Sequence, residues 1–180
     1  GLAARERIDA TGLIITPGGV DPHAHIEQMS GMGLFNADTF ETATRSAAMG
    51  GTTSVISFAA QVKGQRLADA MADYAARAAR GAAIDHAFHI LISDPDVPDF
   101  EDDLRALIKA GHRSIKLFTT YNIGLSDAAI LRVLRIAGEA GALTCIHAEA
   151  EEIIAAARAG LLATDRTGLI DHAASRPRAA

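Results

Sequence analysis

Cysteine is nearly absent: Cys145 has no second thiol to pair with, so no internal disulfide can form and a reducing, cytoplasmic setting is expected. No segment joins a charged start to a long apolar run, and none reaches the roughly 20 apolar residues of a membrane span, so neither a secretion signal nor a membrane association is expected. Basic residues are also in short supply, with 17 Lys and Arg against 22 Asp and Glu for a net charge of −5. No Lys/Arg cluster interleaved with aromatics occurs. Nucleic acid and anionic membranes are therefore not expected partners, and a small-molecule ligand is. Ser/Gly linkers, charge blocks and low-complexity tracts are missing as well.

What is present, in 180 residues that are 49% hydrophobic, is enough apolar side chain for one sizeable core. Short β-branched or apolar runs at 19–26, 52–58, 86–92, 114–118 and 143–147 read as strands. Between them, 38–49, 65–80, 100–110, 127–140 and 149–159 carry apolar residues at helical spacing. Most of these helices are expected to stop at a glycine (Gly50, Gly81, Gly111, Gly141, Gly160), and Ser126 reads as an N-cap. Strand alternating with helix five times implies a parallel sheet with helices on its outer face. A doubly wound nucleotide-binding sheet would show Gly-x-Gly-x-x-Gly after its first strand, whereas Ile26-Glu27-Gln28-Met29 follows here. The expected fold is therefore an α/β (β/α)₈ TIM-type barrel, of which only about the first five βα units are present, since eight units take about 250 residues. Residues 17–180 are assigned to this barrel. Residues 1–16, with a separate strand over 7–16, are assigned to a remnant of a β-sandwich domain. The chain opens without a methionine and closes shortly after Pro177, so a fragment of a longer protein is expected.

Chemistry in such a barrel gathers at the C-terminal ends of the strands. There Asp21-Pro22-His23-Ala24-His25 puts two imidazoles on one face of a strand, able to converge on one metal ion, with Asp21 on the same face as a partner that can fix tautomer and ring angle. A bare His-x-His is equally read as a pair of solvated histidines. Lys116 alternates inward with Ser114 and Phe118 while Ile115 and Leu117 face the helices. An inward lysine is ion-paired with an acid from another strand, or keeps its stem buried while its head reaches water, or is an amine whose burial favours the neutral, nucleophilic form. His147 ends the fifth strand, with Cys145 a small hydrophobe beneath it. His86 and His89 are three apart and face opposite ways, so neither reads as a ligand; His112 and His172 read as solvated.

Those motifs, with Tyr121 and Ile146-His147-Ala148-Glu149 following in order, resemble the cyclic amidohydrolases. Within that superfamily, Gly50-Gly51-Thr52-Thr53, Lys63-Gly64-Gln65, the Lys116-to-Tyr121 spacing and His172-Ala173-Ala174-Ser175-Arg176-Pro177 resemble the dihydropyrimidinase and hydantoinase group. The resemblance implies two divalent metal ions, usually zinc: His23 and His25 hold one, His147 helps hold the other, and Lys116, carboxylated by CO₂ to a carbamate, bridges them. It further implies a hydroxide shared by the ions that opens cyclic ureides (dihydropyrimidines and hydantoins) to N-carbamoyl amino acids, with Tyr121 donating to the oxyanion, in a homotetramer. Glu27, in place of the arginine or asparagine that dihydroorotases and allantoinases tend to carry there, favours the hydantoinase branch; Ala150 replaces the group's usual asparagine and implies a rearranged loop. The resemblance also calls for a histidine on strand six and a proton-shuttling aspartate on strand eight. The chain supplies neither, Asp165 and Asp171 not being placed on such strands, so these 180 residues are expected to be inert alone. The alternatives are a non-catalytic relative that keeps the barrel as a scaffold, and the allantoinase or dihydroorotase types.

Overall fold

The computed structural model describes residues 3–30 and 33–180. Five strands, β1 (Gly19–Ala24), β2 (Thr52–Ala60), β3 (Asp85–Leu91), β4 (Ser114–Phe118) and β5 (Leu143–His147), alternate with α1 (Phe40–Met49), α2 (Leu67–Ala79), α3 (Phe100–Lys109), α4 (Asp127–Glu139) and α5 (Glu151–Ala163). All neighbours pair in parallel, and spatial order equals chain order, β1-β2-β3-β4-β5. A doubly wound sheet reverses its order at a switch point. This sheet never does, and it curls as part of a TIM barrel with the helices outside.

Local sequence accounts for the element ends. Thr39 caps α1 in a reciprocal capping box with Thr42, and the Ser126 hydroxyl accepts from the Ala129 amide at the start of α4. After α3 and α4 the chain reverses through Gly111 and Gly141, at φ +113° and +74°, a region that a β-carbon disfavours. Gly160 does not end its helix: α5 runs through it to Ala163. Residues 7–16 form no strand, and Leu13, Ile14 and Ile15 are exposed, because no second strand among the described residues offers them a hydrogen-bond ladder. Of the stretch assigned to a β-sandwich remnant, residues 1–2 lie outside the described residues.

The core lies between the sheet's outer face and the helices. Ile90, Ile115 and Leu117 meet Leu104, Ile108, Val133 and Ile136, all at most 2% exposed. Alternation then sends Phe58, His89, Ser114, Lys116, Phe118 and His147 to the other, concave face. The turn after β1 is pinned from α2, where the Tyr74 hydroxyl donates to the Ile26 carbonyl at 2.6 Å and Arg77 donates to the Glu27 carbonyl at 2.8 Å. Burial raises the Tyr74 phenol above its ordinary value of 10.0. The folded state thus keeps its phenolic proton better than the unfolded chain does. This contribution to stability is fully present below 10.0 and is lost as pH rises through the folded value. Tyr74→Phe, which keeps the ring and deletes the bond, is expected to cost about 1 kcal/mol in denaturant unfolding and to weaken the alkaline loss of stability.

Candidate active site

Phe58, 2% exposed, is the floor on which three imidazoles meet. His25 stacks on it at 4.7 Å between centroids, His89 stacks at 4.8 Å, and His23 meets it edge-on at 4.8 Å; the His23 and His25 rings are 5.3 Å apart. The pair at the end of β1 therefore converges.

The tautomer of His25 follows from its neighbour. Gln28 donates its amide nitrogen to the Phe58 carbonyl, which turns its amide oxygen toward His25 Nδ1 at 2.9 Å. An amide oxygen only accepts, so Nδ1 carries the proton and the Nε2 lone pair is left for a metal. Burial is the largest of the effects that lower the His23 pKa, followed by the charges of His25, Lys116 and His89, while Asp21 opposes them. His23 is thereby held in the neutral, ligating form. Asp21 departs from expectation: its carboxylate accepts from the His23 backbone amide at 2.9 Å and fixes the chain instead of a ring. The partner that sets a ring's tautomer is Gln28, three residues beyond His25.

Lys116 is 9% exposed and projects to the concave side, with Nζ 4.9 Å from the Phe118 ring centroid. Among the described residues no carboxylate lies within ion-pair distance of it, so the ion-paired reading of this lysine does not hold. His147, paired in register with Phe118, stacks on that same ring at 5.4 Å. Its Nε2 donates to Glu149 at 2.8 Å, leaving Nδ1 free. Glu149, held below the usual carboxylate range by His147 and then by Arg176, is clasped by the Arg176 guanidinium and anchored through its backbone to the Thr119 hydroxyl. The motif around Arg176 was legible in the sequence, but this contact was not.

Tyr121 stands beside His147, ring centroids 5.5 Å apart, with the Arg176 guanidinium 5.1 Å over its ring. Its backbone is left-handed, at φ +66°, and Glu151 steadies it by accepting from the Tyr121 amide and the Thr120 hydroxyl. Tyr121 is half exposed, and its hydroxyl makes no hydrogen bond among the described residues.

The four expected ligands thus stand along one face of the sheet, from β1 to β5. His23 and His25 pair at the β1 side, His147 stands at the β5 edge, and Lys116 lies on the strand beside it. Among the described residues no three His, Cys, Asp or Glu side chains are grouped so as to hold an ion. The donors nevertheless fit divalent metals: free ring nitrogens on His25 and His147, a neutral His23, and an amine with no counter-acid.

Glu27 faces elsewhere. At φ +49° it turns its carboxylate away to accept from the Phe40 amide at 3.1 Å and to pair with Arg80 at 2.9 Å, at the start of α1. Ala150 occupies the N-cap of α5 with no side chain able to cap it, which is where an asparagine's absence is felt. Cys145 is half-buried and free, His112 is half-buried against the Phe88 ring, and His172 is exposed.

The amidohydrolase family model matches residues 14–177. The chain belongs to the amidohydrolase family. This amidohydrolase chain is 38% identical over 177 residues to the D-hydantoinase of Rhizobium radiobacter, a match covering 97% of the chain and 38% of that protein. The D-hydantoinase of Bacillus sp. AR9 superposes with a TM-score of 0.90 at 37% identity, over 98% of this chain and 39% of that one. The dihydropyrimidinase of Brevibacillus agri does so at 0.83 and 35%, over 89% of this chain and 35% of that one. The chain therefore falls in the hydantoinase group of cyclic amidohydrolases and spans under two fifths of the length of these relatives. No helix among its described residues is long and apolar enough to cross a membrane.

Proposed function

We propose that this chain supplies the first five βα units of a metal-dependent cyclic-amide hydrolase that opens hydantoins and dihydropyrimidines to N-carbamoyl amino acids. The observation that carries this reading is Lys116: an inward, nearly buried amine with no counter-acid among the described residues, on the face that bears His23, His25 and His147. Such an amine adds CO₂, releasing a proton, and becomes an anionic carbamate on a long stem suited to bridging two cations. His23 and His25 would hold one divalent ion, zinc in the first instance, and His147 through Nδ1 would help hold the second. Bound there, the ions would lower the pKa of water and polarise the amide carbonyl. Tyr121 donates its free hydroxyl to the oxyanion that develops as the ring carbonyl is attacked. Glu149, Arg176 and Gln28 set ring tautomers and angles.

In the same reading, residues 1–16 belong to a small β-sandwich domain, the full-length protein is a cytoplasmic homotetramer, and the 180-residue chain alone is inert. The test uses the full-length protein. Ring opening of hydantoin should stop on chelation and return with zinc, and Tyr121→Phe should lower kcat by about 10²–10³-fold without changing metal content. Ring opening that survives complete metal removal would overturn the reading, and a metal-loaded protein that opens neither ring would make it a scaffold.

A further inference from the structure

His89 uses both ring nitrogens inside the curl of the sheet. Nε2 lies 2.8 Å from the Pro22 carbonyl and Nδ1 lies 2.6 Å from the Ser114 hydroxyl. A carbonyl only accepts, so Nε2 carries the proton, and Nδ1 takes the proton of the Ser114 hydroxyl. The ring is 9% exposed and lies flat on Phe58, with an interplanar angle of 26°. With neither nitrogen free, His89 is not a ligand. Its two partners are what matter.

Pro22 immediately precedes His23, and Ser114 lies two residues before Lys116 on the same face of β4. β1 and β4 are not neighbours, since β2 and β3 stand between them. The β1 ladder is broken at this point: Asp21 pairs with Val55 and Ala24 with Ser57, so β1 carries an extra residue there and the ladder passes over Pro22 and His23. The carbonyl thus released from the sheet needs another donor, and His89 is that donor. The same bulge re-aims His23 onto the concave face.

We infer that His89 is a positioning residue that clasps the bulge carrying His23 and His25 to the strand carrying Lys116, fixing the span between the histidine pair and the lysine. The inference rests on the metal reading proposed above. A histidine suits the role because a flat ring with a donor at one nitrogen and an acceptor at the other reaches both strands while stacking on Phe58. Glutamine keeps only the reach to Pro22, and phenylalanine keeps only the stacking.

The experiment uses the full-length, zinc-loaded protein and measures metal affinity, bound metal per folded subunit, kcat and KM for hydantoin, and Tm. His89→Phe should stay folded, weaken metal binding by about 10–100-fold and lower kcat by about 10²-fold with a much smaller change in KM. Ser114→Ala should move the same quantities in the same direction by less, and His89→Gln should recover part of the loss. If His89→Phe does not fold, Ser114→Ala and His89→Gln read the same quantities. Folded variants with lowered Tm but unchanged metal affinity and kcat would overturn the inference, leaving His89 as packing. A wild-type protein that binds no metal would instead overturn the functional reading, and the clasp's purpose with it.

Discussion

Lys116→Met in the full-length protein is expected to lower kcat/KM for hydantoin by about 10³-fold or more and to abolish the extra mass of a carboxylated lysine. The side chain is 9% exposed, and methionine fills nearly the same volume on the same concave face, so the fold should tolerate the exchange. What is lost is the only group on β4 able to become an anion between His23/His25 and His147. Electrostatic stabilisation of that kind contributes several kcal/mol, and each 1.4 kcal/mol is about tenfold in rate. Metal analysis and intact-mass measurement check the cause. Full activity with methionine at 116 would remove the lysine from the reaction altogether.

Phe58→Ala should be the most destabilising single change on the concave side. It deletes a 2%-exposed ring that packs against His23, His25 and His89 at centroid distances of 4.7–4.8 Å. Emptying such a site costs about 3–5 kcal/mol, a large share of what holds a domain folded. Because the cavity opens directly under the histidine pair, metal affinity should fall along with stability. Phe58→Leu, which keeps most of the apolar volume, should recover more stability than metal affinity, since no flat surface remains for the rings to lie on. Urea unfolding of the metal-free protein separates the two effects, and equal recovery of both would show that flatness is unimportant.

The parts of the site that were legible in the sequence are those written in short-range pattern. His23 and His25 two apart, Lys116 alternating inward between Ile115 and Leu117, and His147 closing a strand are all statements about period two, which holds in any strand. Tyr121 and the Arg176 segment were reached by likeness to the hydantoinase group instead. His89 was passed over because spacing said only that it faces away from His86, and nothing local says what fills the side it faces. Gln28 carried no signal beyond its place three residues after His25. Asp21 falls on the histidines' face only in a regular strand; the extra residue at Pro22–His23 breaks that alternation, and its carboxylate accepts from the His23 backbone amide instead. Glu27 marks the hydantoinase branch in the sequence, but where its side chain goes is set by its left-handed backbone, at φ +49°, which sends it to α1 and Arg80.

The chain's own order of residues determined five strands, five helices, their parallel alternation and which face each strand turns to its helices, because these depend on hydrophobic period and turn residues within a few positions. Only the tertiary structure decided that Phe58 is a floor for three imidazoles, that His89 joins Pro22 to Ser114 across 67 and 25 residues of chain, and that Arg176 reaches back to Glu149. Those contacts depend on how tightly the sheet curls and on one irregular step in β1. Curl and bulge are properties of the paired strands together, and no single stretch of sequence carries them.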